Sequence, residues 1–202
     1  MKTIRQLLKT TAVAGIILVS TFGTTNAQVW DEGTNILGAS VGIGSSLIGT
    51  SYSTGFSQTP GLSVAFDHGM GELGNGVWSL GGYLGYKAYT WEDNYFGSYY
   101  YKYKWNFTII GVRGAYHFDI NSDAWDLYLG AMLSYNMFSD SYTTNNPNDD
   151  PSFRATYSYG GVGFTGFGGA RYMISDNFGL HAELGYGVAY LSLGASFKFY
   201  KK

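Results

Sequence analysis

The sequence predicts an all-β fold: a closed antiparallel transmembrane β-barrel of about eight strands. Three observations predict it. Apolar and polar residues alternate in segments of about ten residues, the strand length needed to cross a bilayer. There are 30 Gly, 19 Tyr and 13 Phe against 3 Pro. No stretch of the chain approaches the roughly twenty apolar residues of a spanning helix.

Eight segments carry the alternation. In 36–45, Leu37, Ala39, Val41 and Ile43 share one face, with glycines and Ser40 on the other. In 61–68, Leu62, Val64 and Phe66 oppose Ser63, Ala65 and Asp67. In 77–88, Trp78, Leu80, Leu84 and Tyr86 oppose Ser79, Tyr83 and Lys87. The fourth, about 105–118, sets Ile110, Val112, Tyr116 and Phe118 against Gly111, Arg113, Ala115 and His117. The fifth, 126–138, sets Leu127, Leu129, Leu133 and Tyr135 against Tyr128, Gly130, Met132 and Ser134. The sixth, about 158–174, has Val162, Phe164 and Tyr172 opposite Gly163, Thr165 and Arg171. The seventh starts at Phe178, with Leu180 and Leu184 opposite His181 and Glu183. The eighth, 191–200, alternates Leu193, Phe197 and Phe199 with Ser192, Ser196 and Lys198.

Alternation alone does not say which face meets water. The polar face is Gly, Ser, Thr and a few charges, which suits a crowded lumen with the apolar face turned to lipid. A soluble lipocalin-like barrel would invert this, with an apolar interior and a charged exterior. Abundant glycine suits curved sheets with close backbone approach.

The N-terminus reads as a secretory signal peptide. Lys2, Arg5 and Lys9 precede the apolar run TAVAGIILVSTF (Thr11–Phe22), and Thr25 and Ala27 supply small residues for cleavage. The division expected is 1–27 signal peptide and 28–202 barrel domain. An N-terminal anchor is the alternative, but the apolar run is too short to span. Zero Cys excludes a disulfide scaffold and thiolate metal sites. A net charge of −2 gives no case for nucleic-acid binding.

Connections alternate in length. Long stretches (47–59, 89–104 and 139–157) are separated by short ones (69–76, 119–125 and 175–177), with a short last connection near 187–190. Transmembrane barrels have short periplasmic turns and long extracellular loops, which places both termini in the periplasm. Trp78, Tyr116, Phe118, Tyr172, Phe178, Phe197 and Phe199 then fall outward at the periplasmic rim, and Tyr86, Tyr135 and Tyr186 at the other. Two aromatic girdles are expected at the bilayer interfaces.

The signal segment, the alternating segments and the ending NFGLHAELGYG…LSLGASFKF (Asn177–Phe199) resemble the small outer-membrane barrels of the porin-family or outer membrane protein X/W type, particularly those of Bacteroidota. The resemblance implies a monomer in the outer membrane of a Gram-negative bacterium, in contact with outer-membrane lipid. The last strand resembles the signal read by the barrel-assembly machinery, although Lys201 and Lys202 follow Phe199-Tyr200. Kinship to outer membrane protein W would imply passive transport of small or hydrophobic solutes.

Two groups of residues are candidates for function. Asp67, Arg113, His117, Arg171, His181, Glu183 and Lys198 all point into the periplasmic half of the lumen, with Arg171 and Glu183 as diagonal cross-strand neighbours. An eight-stranded barrel is just wide enough to be filled by side chains. Buried charges there must pair, so a salt-bridge plug is expected, with a gate or narrow ion path as the alternative. The stretch DNYFGSYYYKYKW (Asp93–Trp105) carries Tyr95, Tyr99, Tyr100, Tyr101 and Tyr103. Tyrosine gives large contact area at low entropic cost, which makes these residues candidates for contact with a host or cell-surface ligand. A strand extension whose aromatics cover one another is the alternative.

Catalytic and cofactor sites are not expected. Some eight-stranded barrels modify lipid A through His-Ser-Glu residues near the outer rim, but no His here precedes a Ser, and His68, His117 and His181 lie low. His181 and Glu183 lack a third metal ligand at defined spacing. NNPNDDP (Asn145–Pro151) matches no defined Ca²⁺ loop and reads as turn residues. A plugged lumen favours a structural or surface-interaction role; a continuous apolar pocket between the upper strands would favour transport.

Overall fold

The computed structural model describes residues 29–44, 56–93, 99–149 and 156–200. The expected signal peptide, Tyr95, and Asp150 and Pro151 lie outside them. Nine strands form: β1 (Thr34–Ile43), β2 (Phe56–Gln58), β3 (Gly61–Leu73), β4 (Gly76–Asp93), β5 (Tyr101–Phe118), β6 (Trp125–Thr144), β7 (Ser158–Met173), β8 (Phe178–Gly185) and β9 (Leu191–Tyr200). All pairings are antiparallel, and β1 pairs with both β3 and β9. With the β4–β5 pairing the ring closes. Eight strands make the ring, and β2 adds a short ladder on β4 (Phe56↔Trp91) above β3. Closure gives each ring strand a partner on both sides, as hydrocarbon demands, with β8 covering β7 over Phe167–Met173.

The expected faces are the observed ones. Leu84, Val112, Leu133, Phe164, Leu184 and Phe197 are exposed, while Ser79, Arg113, Tyr128, Met132, Arg171 and Lys198 are buried. In water the outer face would be an apolar patch far above the few hundred Å² a soluble monomer shows. In lipid it is the solvated surface.

At the end carrying both described termini the turns are tight. Leu73 pairs with Gly76, leaving the two-residue turn Gly74-Asn75, in which Gly74 has φ +63°. That conformation carries no steric cost for glycine. The expected break near Gly69 is instead a β-bulge, a register shift between Gly69 and Gly71 that carries β3 on to Leu73.

At the opposite end the expected loop 89–104 is strand over 89–93 and 101–104, and the first six residues of the expected loop 139–157 continue β6. β4 and β5 pair from Lys87↔Phe107 up to Asp93↔Tyr101, and β6 continues to Thr144. The sidedness inverts along this extension. Outward positions become Thr90, Glu92, Lys102, Lys104, Ser139 and Ser141, while inward positions become Tyr89, Trp91, Tyr103, Trp105, Phe138 and Tyr142. Apolar groups face whichever side is drier: lipid below and the sheet's own concave face above. The crossover lies at Tyr86↔Thr108, so Trp78–Tyr86 matches the roughly 9–11 residues of a crossing strand.

Candidate functional site

The lumen is filled by two linked polar clusters. In one, the Arg113 guanidinium meets Glu183 through both terminal nitrogens (2.7 and 3.4 Å), and its Nε lies 3.1 Å from Asp67 Oδ1. It also lies 4.0 Å over the Phe167 ring. The Tyr128 hydroxyl donates to Glu183 at 3.2 Å.

Asp126 centres the other cluster. Its carboxylate accepts from Arg171 (2.6 Å), Trp30 Nε1 (2.8 Å) and His117 Nδ1 (2.8 Å). A carboxylate paired with arginine is an acceptor only, so Nδ1 carries the imidazole proton. Nε2 then meets Ser79 Oγ at 3.0 Å. Arg171 Nε donates to Ser196 Oγ (3.0 Å), and His181 bridges Ser196 (2.8 Å) and Ser40 (2.7 Å). One hydrogen-bonded run therefore joins β4, β5, β6, β7, β9, β8 and β1. The Tyr128 ring, 5.3 Å from the Arg171 guanidinium, stands between the clusters.

Of the seven expected lumen charges, six fall in these clusters: Asp67, Arg113, His117, Arg171, His181 and Glu183. Lys198 is buried on β9, with its backbone N–H donating to Asn177. The expected adjacency of Arg171 and Glu183 holds, with each ion-paired to another residue. Register makes Arg171 and Glu183 diagonal neighbours, yet Glu183 pairs with Arg113 and Arg171 with Asp126. Asp126 is the direct ladder partner of Arg171 on the neighbouring β6, whereas Arg113 on β5 reaches Glu183 on β8 across the lumen.

Asp126 and Trp30 were not expected. Asp126 shares inward parity with Tyr128, which marks it as a lumen charge. Trp30 precedes any periodic segment, so nothing in the pattern points to it. Its ring stacks on His117 with centroids 3.9 Å apart, and Val29, Ile36, Val77 and Met173 pack beside it. The barrel's lower mouth is closed by this segment. From above, Val188 and Ala189 turn inward and are buried, while Tyr186 and Tyr190 on either side stay exposed. A Cβ on Gly42 would collide with Ala189, and one on Gly85 would lie 2.7 Å from Val188. Two small spaces of about 20 Å³ adjoin these closures, one beside Arg113, Glu183 and Gly187 and one at the lower rim beside Trp30 and Asp126, each with room for one water.

Ser79, His117 and Asp126 have the hydrogen-bond order of a nucleophile, base and orienting acid. Ser79 is fully buried and Trp30 covers the imidazole. The arrangement holds charge and fixes the side chains that share it.

The second site is the extracellular extension of β4–β6. Tyr103 stacks on Trp105 (6.0 Å) and packs against Tyr142 (4.6 Å) and Trp91 (5.7 Å). Below them Phe107 contacts Tyr89 and Phe138, and Phe138 contacts Tyr159. Tyr103 therefore faces inward, in a wall of rings, and Tyr101 lies on the same strand face and accepts from Asn146 Nδ2 (3.1 Å). The Tyr100 backbone is tied to Asn145 (2.8 Å) and Thr144 (2.6 Å). Tyr99 and Tyr100 are half-buried. Tyr142 donates to Asp149 (3.1 Å); burial and then that carboxylate push its hydroxyl pKa up.

A closed ring of eight antiparallel strands, lipid-facing outside and charge-filled inside, defines a small barrel of the Gram-negative outer membrane. Residues 78–197 match the model of the Opacity family porin proteins, and the chain belongs to that family. The fold is similar to Ail, the attachment invasion locus protein of Yersinia pestis, at 15% identity over 83% of this chain and 99% of that one, with TM-score 0.50. It is also similar to the N-terminal β-barrel domain of Pseudomonas aeruginosa OprF (15% identity, 84% and 100% covered, TM-score 0.48). Neisserial surface protein A matches at 18% identity (83% and 96% covered, TM-score 0.42). No curated protein matches the chain in sequence.

Proposed function

We propose that this protein is a filled, non-catalytic, monomeric barrel that acts at the cell surface, through the aromatic wall of β4–β6, as a contact for a host or neighbouring-cell ligand. Residues 1–27 serve as its export signal, and the barrel-assembly machinery reads its last strand. The resemblance to Bacteroidota barrels belongs to the same reading.

The observation that supports it is the inverted sidedness of the wall. Inside the bilayer Trp78, Phe164 and Phe197 face lipid while Tyr128 and Phe167 cover arginines in the lumen; above it, Trp91, Tyr103, Trp105 and Tyr142 gather on one concave face. Rigid rings with polar edges are what binding surfaces use. The two closures and the ion pairs of the lumen support a barrier role and speak against passive transport.

Deleting 95–103 would remove paired β5 residues, so point variants are the cleaner test. Cells displaying the barrel, or Trp91→Ser/Tyr103→Ser/Tyr142→Ser, are assayed for retention on immobilised host proteins and glycans. Retention should fall roughly tenfold in the triple variant, the effect of losing about 1.4 kcal/mol. Equal retention, or steady single-channel conductance through the refolded wild type, would overturn the reading.

A further inference from the structure

The outer surface of β5–β7 carries a groove of about 390 Å³ just above the apolar band, lined by Asn106, Thr108, Tyr135, Met137, Ser139 and Ser158. Tyr135 lies over Gly160, where an added Cβ would come within 2.5 Å of the tyrosine hydroxyl. The ladder pairs Asn106 with Ser139 one row above Thr108 and Met137, which stand above Ile110 and Tyr135, so polar groups top an apolar floor. Ile110, Leu133 and Val162 continue the surface downward as exposed apolar residues.

Directly above the groove, Lys104 points outward and is exposed. Its neighbour Lys102 pairs with Glu92 at 3.4 Å. Lys104 has no carboxylate partner among the described residues; Thr90 and Ser141 stand opposite it in the ladders. It lies four residues beyond Thr108, roughly 9 Å higher along the bilayer normal at ~3.3 Å per residue and ~45° tilt. A lysine stem reaches several Å from its backbone, so its ammonium spans the depth of the headgroup phosphates.

Apolar surface adjoins the groove on the other side. The Tyr86 hydroxyl donates to Asn106 (2.9 Å), and Tyr86 also borders a second outward hollow of about 580 Å³. The small side chains of Ala39 and Ala195, paired across β1 and β9, leave that hollow between Leu62, Leu84 and Leu193.

We propose that the groove and Lys104 form a headgroup site for a phosphorylated glycolipid of the outer leaflet. The lysine ammonium meets the phosphate, Asn106 and Ser139 hydrogen-bond the sugar, and Tyr135 and Met137 cover the first methylenes. The depth selects the occupant: outer-leaflet lipid delivers a phosphate directly above hydrocarbon at this level, and a free anion would have no use for the apolar floor.

The test uses the refolded full barrel, Lys104→Gln and Lys102→Gln in phosphatidylcholine vesicles containing diphosphoryl lipid A or its dephosphorylated form. Lipid retained after detergent extraction is read by native mass spectrometry, with and without inorganic phosphate. Folding is checked by heat-modifiable migration, which exposed substitutions leave intact. The wild type should retain diphosphoryl lipid A and not the dephosphorylated form. Lys104→Gln should retain about tenfold less, as expected for one charge-assisted contact, while Lys102→Gln matches wild type. Undiminished retention by Lys104→Gln, equal loss in both variants, or full competition by inorganic phosphate would each overturn the site.

Discussion

Asp126→Ala should be among the most damaging single substitutions in the lumen. The carboxylate is buried and accepts three hydrogen bonds, at 2.6 Å from Arg171 and 2.8 Å from Trp30 and His117. Its removal leaves the Arg171 guanidinium with Ser196 and the faces of Tyr128 and Trp30. A buried charge that loses its partner costs about 3–5 kcal/mol, a large share of the ~5–15 kcal/mol that holds a domain folded. With a urea slope of about 2 kcal/mol/M, the unfolding midpoint in lipid vesicles should fall by roughly 2 M, followed by tryptophan fluorescence. Arg171→Met in the same chain should recover part of that loss, because the stranded charge is gone. A midpoint within about 0.3 M of wild type, or a double variant no more stable than Asp126→Ala, would refute the reasoning.

Trp30→Ala removes the ring stacked on His117 and should cost about 3–5 kcal/mol, measured by the same urea titration. Val112→Arg, on the lipid face near mid-bilayer, should cost about 2–4 kcal/mol, whereas Thr108→Arg at the boundary should cost about 0–1 kcal/mol; equal costs would show that the bilayer is placed wrongly. Gly81→Ala would push a Cβ into the Phe66 carbonyl across the β3–β4 ladder, so heat-modifiable migration should be lost or weakened.

Period-two alternation made the faces legible, because a one-residue slip would turn every side chain to the wrong solvent. Arg113, Arg171 and Glu183 could therefore be placed in the lumen from sequence. Their pairing could not, since Arg113 and Glu183 meet across a lumen whose width depends on strand tilt and shear. The stretch 89–104 looks like a loop because tyrosine, lysine and asparagine crowd there. Its parity nonetheless continues unbroken through Tyr89, Trp91, Tyr103 and Trp105, and that continuity is the signal of a strand. Trp30 has no periodic context, so only its buried partners reveal what it does.

The inversion at Tyr86↔Thr108 also separates two physical tasks within the same strands. Below it, lumen residues are mutually dependent: Asp126, Arg171, His117 and Trp30 share hydrogen bonds, and changing one strands the others. Above it, the aromatics contact one another ring to ring, with Tyr103 touching three, and the outward positions are hydroxyls and charges facing water. Substitutions there remove local contact area without unpairing a buried charge, so the wall can vary while the barrel stays folded. The groove below Lys104 sits at the seam between the two regimes, where the outward face changes from apolar to polar within two residues on each strand. A surface with both characters at one height fits a lipid headgroup better than it fits either bulk water or acyl chains alone.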